Sequence, residues 1–382
     1  MDIKDIFPYE EPIKLSDDID QLLDKRRQKY EADKSLLEKD ILEIDIENII
    51  ELQNGRLKTH IDGVEFECFF HRGRGRKLYV VLEAARRGTR VRNRLARWSW
   101  YTYTDYSWLV ITDPTYSDNE SVEVGWFYGT SEKNYRKYVA HIADKISDYL
   151  CIEKDNVCFY GSSAGGTAAI HSAAIFGHGT AVSINGQINF EYDHKDVINY
   201  IKCTGIDLHQ ADKWDRNALG KVMSEAKDVN FILLENSRSS WDINDHLLYL
   251  CNILKCPPPE YGISQFGNIT TWIYDAPANI QRNAHICFEN KNIFYAIDFL
   301  TGLVRGNEDV EKYKPLYLLF NEFWHDIYYP TIKFHVQDKE ALSIEELIDK
   351  LIWNRRRKAV ADYKLKKISE IINSDITWRE VD

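Results

Sequence analysis

The stretch 159–171 reads FYGSSAGGTAAIH. Ser163 stands two residues from Gly161 and two from Gly165, and a run of small residues follows it. An apolar strand, Val157 to Tyr160, precedes it. This order reads as a strand-to-helix elbow, whose outer glycines permit a tight backbone and close approach of strand to helix. A bend that only lets a helix pack on a strand would use the same residues, so the surroundings must decide. Ser162 fits the central position less well, because Tyr160 and Ala164 flank it at two residues' distance.

Outward from the elbow, apolar runs alternate with helical pieces. RLKTHIDGVEFECFF suggests a hairpin turning at Asp62-Gly63. RKLYVVLEA (76–84), SWLVITDP (107–114), GTAVSING, VNFILLENS and NITTWIYDAP read as strands. NYRKYVAHIADKISDYL (134–150) reads as an amphipathic helix, and TAAIHSAAIFG as a helix of small residues. Strands alternating with helices imply an α/β fold, a mostly parallel sheet with helices on both faces. Residues 1–53 read as an N-terminal helical extension, with helix expected over 16–53 and Ser16 as its cap. Residues 54–305 form the core, and 306–382 a C-terminal helical extension.

The chain has a net charge of −11, which argues against a general nucleic-acid binder. Seven cysteines show no CxxC pair and no metal-type Cys/His spacing, so no metal is expected. Cys251 and Cys256 are close in sequence but are expected to face a core rather than bridge. The N-terminus lacks a basic start and an apolar run, and no stretch reaches the length of a membrane span. A cytoplasmic setting with reduced thiols is the expectation.

A serine hydroxyl needs a base, a group orienting that base, and an oxyanion site. With an elbow of this kind the acid follows in the chain, then the histidine. The acid loop is SRSSWDINDH, after the strand NFILLEN. Asp242 is the first choice; Asp245 and Glu235 are alternatives, and a helix cap is the plain reading of either aspartate. His285 lies after the last strand, where a base belongs. His246 sits in the acid loop as a competitor or a substrate contact, whereas His171 and His178 read as structural. The amide of Ala164 and that of Ala84 or Ala85 are the oxyanion candidates. The loop after residue 84 carries Arg86, Arg87, Arg90, Arg92, Arg94 and Arg97. At the C-terminal edge of a sheet, Arg86, Arg87 and Arg90 would meet an anionic or phosphorylated substrate, coenzyme A included. A solvated helix face is the competing reading.

ITDPTY, VGWFYGT, CFYGSSAGGTAAIHSAA, SINGQINFEY and LLENSRSSWDINDHLLYL form an ordered set. The set resembles the α/β-hydrolase-like proteins of bacterial capsule, teichoic-acid and other surface-glycan assembly, over residues 76–300. SING stands where Asn-Pro is expected, and EAARR where a glycine-containing oxyanion loop is common. The resemblance implies an α/β-hydrolase fold with Ser163 as nucleophile, His285 as base and an acid in 235–245. It implies esterase or O-acetyltransferase chemistry on a glycan or its precursor, with acetyl-CoA as an acyl donor in the transferase case and no other cofactor. A non-catalytic scaffold in a glycan-assembly complex, with partners held by the terminal extensions, is the alternative; a serine peptidase is a third.

Overall fold

The computed structural model describes residues 34–86, 95–104, 106–190, 194–210, 216–237, 239–259 and 262–274, and the single positions 285, 297 and 301. The expected helix before residue 34, Arg87, Arg90, Arg92, Arg94 and the expected helices of 306–382 lie outside the described residues. The chain divides into two compact units. One comprises Asp33–Glu235 and Ser239–Trp272; the other comprises Met1–Ala32, Asn236–Arg238 and Ile273–Asp382.

The sheet is built from β1 (Leu42–Glu43), β2 (Gly55–Ile61), β3 (Val64–His71), β4 (Leu78–Leu82), β5 (Ser107–Ile111), β6 (Val157–Ser162), β7 (Gly179–Ile184), β8 (Val229–Asn236), β9 (Gly262–Phe266) and β10 (Ile269–Tyr274). Its strand order is β1-β2-β3-β5-β4-β6-β7-β8-β10-β9. β5, β4, β6, β7 and β8 are mutually parallel, while β3 runs antiparallel to both β2 and β5. Among the described residues, the α-helices within the sheet region are α1 (Thr115–Asp118), α2 (Tyr135–Tyr149), α3 (Ala164–Phe176), α4 (Lys195–Thr204), α5 (Leu219–Glu225) and α6 (Leu248–Leu254). The architecture is α/β, with the mostly parallel sheet that the alternation implied.

Local chemistry accounts for these elements. Asp62 and Gly63 both hold positive φ, 49° and 75°, the two-residue turn that suits the twist of a hairpin. Asn134 caps α2 by accepting from the amides of Arg136 and Lys137. All residues of β4, β5, β6, β7 and β8 are buried, as strands covered on both faces must be. α3 is buried along its first ten residues, and its alanines and glycines are what allow so close a seat.

After β4 the chain pairs β5 on one side and β6 on the other. The connections leaving β4 and β6 therefore diverge at the carboxyl ends of these strands. That is where ligands bind in sheets of this kind. Ser163 follows β6 at that edge.

The expected helix over 16–53 does not persist. Residues 34–38 are helical, but Leu42–Glu43 form β1, parallel to β2, and 33–53 belong to the unit that holds the sheet. The run Leu42-Glu43-Ile44-Asp45-Ile46 alternates with period two, which suits a strand and defeats a helix. β9 lies in a stretch where no strand was expected.

Candidate active site

The elbow is strained, and its neighbours explain the strain. Ser163 has φ 51° and ψ −121°, outside the left-handed helical well and unusual for a residue with a Cβ. Its amide donates to Ile184 O at 2.9 Å, and its carbonyl accepts from Thr167 N at 3.2 Å, which ties the turn to β7 and to α3. A Cβ on Gly161 would lie 2.2 Å from Gly165 O. One on Gly165 would lie 2.6 Å from Leu82 O and 2.8 Å from Glu83 O. The two outer glycines are thus steric requirements of this turn. Gly166 is equally confined, since its Cβ would meet Ser183 Oγ at 2.5 Å.

The same contacts bring the end of β4 onto the elbow. Ala84 and Ala85 follow Glu83 there and are half-buried; Ala164 is fully buried in the first turn of α3. First-turn amides have no acceptor within their own helix. Among the described residues the amides of Ala164 and Ala85 have no hydrogen-bond acceptor, which is what an oxyanion donor requires.

Arg86 does not face an open crevice. Its guanidinium grips Glu83 with Nε to Oε1 at 2.6 Å and Nη2 to Oε2 at 2.8 Å, and both side chains are almost fully buried. It also lies over the Tyr116 ring at 4.6 Å. Burial pushes the Glu83 carboxyl up, and the Arg86 fork opposes that shift. Glu83 Oε2 further accepts from Asp113 N at 3.1 Å, and Asp113 accepts from Thr115 N and Phe127 N at 3.0 and 2.7 Å. Arg86, expected at a substrate, braces the loop after β4 through Glu83. The Glu83-x-x-Arg86 spacing was the signal for this pair. Of the arginine cluster, Arg97 is the described member beside the elbow. Its Nη2 donates to Ser162 Oγ at 2.5 Å, and its guanidinium stands over Trp100 and Tyr160.

The acid candidates converge. Glu235, next to the end of β8, and Asp242, opening the wide helical turn Asp242–Leu247, are both fully buried. Burial, then the negative charge of Asp242, pushes the Glu235 carboxyl well above the ordinary carboxylate range; the Gly186 amide offsets this only in part. Asp245 is half-buried on the same turn. That turn is π-helical, a form frequent at functional sites. Asp242 starts the turn and does not cap a helix beginning at His246.

His246 is buried, and its Nδ1 accepts from Asn189 N at 3.0 Å. In the neutral ring the proton then sits on Nε2, so His246 is a donor at that atom. Trp241 meets it edge-on at 4.7 Å and stacks on His194 at 4.6 Å. His171 is buried within α3, and His178 is exposed beside Asp155 at 3.3 Å. His285 belongs to the other unit, where it is half-buried in a turn. Thus one unit brings together the elbow, the end of β4, the buried acids and His246. Among the described residues no group of His, Cys, Asp and Glu could hold a metal ion, and no helix is long and apolar enough to cross a membrane.

No family model matches the chain, and no curated protein matches it in sequence. Solved structures similar to it include a capsule O-acetyltransferase of Neisseria meningitidis serogroup A, at 14% identity and TM-score 0.45, covering 67% of this chain and 97% of that one. A Glycosylation Associate Protein complex from Streptococcus agalactiae is 16% identical with TM-score 0.41. The match covers 60% of this chain but only 44% of that one. An acetyl xylan esterase from Paenibacillus is 13% identical with TM-score 0.34, covering 56% of this chain and 74% of that one. At these scores the likeness carries no inference about chemistry.

Proposed function

We propose that the chain is a serine-dependent acyl-ester catalyst of α/β-hydrolase type, an esterase or O-acetyltransferase acting on a surface glycan or its precursor. The observation that carries the reading is Ser163 itself. It is held at φ 51° and ψ −121° between two glycines that sterics demand, at the carboxyl edge of parallel strands. Packing a helix on a strand needs small residues but no strained serine, and strain of this kind gathers at active sites. The glycan substrate is supported by the ordered motif set around the elbow.

In this reading Ser163 Oγ attacks the ester carbonyl, and His285 takes its proton. The carbonyl electrons move onto oxygen, where the amides of Ala164 and Ala85 receive the charge. Collapse expels the leaving alkoxide or thiolate, which regains the proton from His285. Water or a glycan hydroxyl then attacks the acyl-serine by the same steps in reverse, the histidine again serving as base and then acid. Asp242 orients the histidine. It fits that role better than Glu235, because Glu235 is pushed toward its neutral form by burial and by Asp242.

A fluorophosphonate probe tests this directly. Expected is a stable adduct on the Ser163 peptide by mass spectrometry, absent in Ser163→Ala and in His285→Ala. A wild-type chain that never labels refutes the enzyme and leaves the non-catalytic scaffold.

A further inference from the structure

The opposite edge of the sheet carries a polar cavity. β4, β5 and β6 are parallel, so Lys77, Ser107 and Asn156 mark their amino ends, away from the elbow. Six extended residues of β6 separate the two edges by roughly 20 Å. At the amino ends lies a cavity of about 470 Å³. Arg72, Arg74 and Arg76 line it together with Asn156 and Ser107, and Glu153 is its one carboxylate.

The three arginines belong to the run Arg72-Gly73-Arg74-Gly75-Arg76, in a chain of net charge −11. All three are exposed. Arg72 lies 6.0 Å from the Tyr149 ring centre. Arg74 and Arg76 have no hydrogen-bond, ion-pair or ring partner among the described residues. Three guanidinium groups against one carboxylate leave an uncompensated positive lining. The intervening glycines leave the loop backbone uncovered by side chains, and Gly73 N is anchored on Ser107 Oγ at 3.1 Å.

A plainer role would be to neutralise the carboxyl end of α2, which lies beside the cavity. Three of the last four carbonyls of that end already have backbone donors. The carbonyls of Ile146, Ser147 and Asp148 accept from Leu150, Ile152 and Cys151 at 3.0, 2.9 and 3.0 Å. The arginines therefore remain available to an outside anion. Guanidinium forks match phosphate oxygens, and three of them match a group carrying several negative charges at once. The cavity also lies within the usual size range of small-molecule sites.

We propose that residues 72–76 and the start of β6 form a binding site for the diphosphate group of a small ligand, separate from the elbow. The test is titration calorimetry of the full chain with sodium pyrophosphate, with ADP as a second ligand. Saturable one-to-one binding is expected. Arg74→Gln/Arg76→Gln should weaken it by at least tenfold, since each lost charge-assisted pair removes roughly that factor. Glu153→Gln should tighten it, and Ser163→Ala should leave it unchanged. Tighter binding of ADP assigns the ligand to a nucleotide; equal binding assigns it to the diphosphate alone. Absence of saturable pyrophosphate binding, or equal affinity in the double variant, overturns the proposal. So does binding of heparin or RNA at this loop by a chain that ignores pyrophosphate.

Discussion

Replacing Ser163 by glycine and by alanine separates strain from chemistry. Both variants lack the hydroxyl, so both lose probe labelling. They differ in what the backbone costs. At φ 51° and ψ −121° a residue with a Cβ is strained, at about 1–3 kcal/mol. Alanine keeps that cost. Glycine removes it but carries extra freedom in the unfolded chain, about 0.4–1 kcal/mol. Taking about 2 for the strain and about 0.7 for the entropy, Ser163→Gly should exceed Ser163→Ala by about 1 kcal/mol. In a unit of this size that is a midpoint difference of about 2–4 °C. Urea and thermal unfolding of the two variants, side by side, give the number. If alanine proves as stable as glycine, Ser163 is not held in a strained turn, and the main support for a nucleophile is gone.

Other consequences are equally direct. Gly165→Ala places a methyl against two backbone carbonyls of the β4 end, so the elbow must shift. It should lose about 1–3 kcal/mol and label about a hundredfold more slowly, as displaced catalytic groups do. Because the folded pKa of Glu235 is raised above the ordinary 4.5, its contribution to stability is full below that pH and fades as pH rises toward the folded value. Glu235→Gln stays neutral, so its stability relative to wild type should climb between pH 5 and pH 8 in urea titrations; parallel curves would contradict the buried carboxylate pair. Asp242→Asn should slow probe labelling by about 10³–10⁴-fold, as loss of the orienting carboxylate does. His246→Ala should slow it far less than His285→Ala, and the reverse ranking would move the base to His246.

The elbow was legible because its requirements are local. Glycines two residues on either side of Ser163 meet backbone within a few residues, or at the adjacent strand end, and no distant partner is needed to recognise them. The Asp62-Gly63 hairpin was legible for the same reason. Period-two alternation at 42–46 was hidden inside a charged segment whose composition favours helix. Arg86 was expected at the substrate because a cluster of arginines on a loop reads as an exposed surface. Only the fold shows that the end of β4 delivers Glu83 to meet it, and the end of β5 delivers Asp113 N to brace Glu83. The pairing of Glu235 with Asp242 joins a strand end to a helical turn, and the turn's π form depends on hydrogen-bond register rather than residue type. Neither leaves a periodic trace.

Two costs fall at neighbouring strand ends. Ser163, after β6, holds a backbone conformation that a packing turn does not need. Glu235 and Asp242, at and beyond the end of β8, bury two interacting carboxyl groups that an apolar core would replace at lower cost. β7 lies between those strands and ties them together, through Ser163 N on Ile184 O and Asn185 N on Leu234 O, both at 2.9 Å. The elbow and the acid-bearing strand are thus fixed to one another by backbone hydrogen bonds, not by side chains free to drift. Fully buried strands supply the stability against which such costs can stand. A scaffold selected only for contacts would shed both costs by single substitutions, glycine at 163 and glutamine at 235. Their presence together, held in register by β7, is the physical case for the proposed chemistry at this edge.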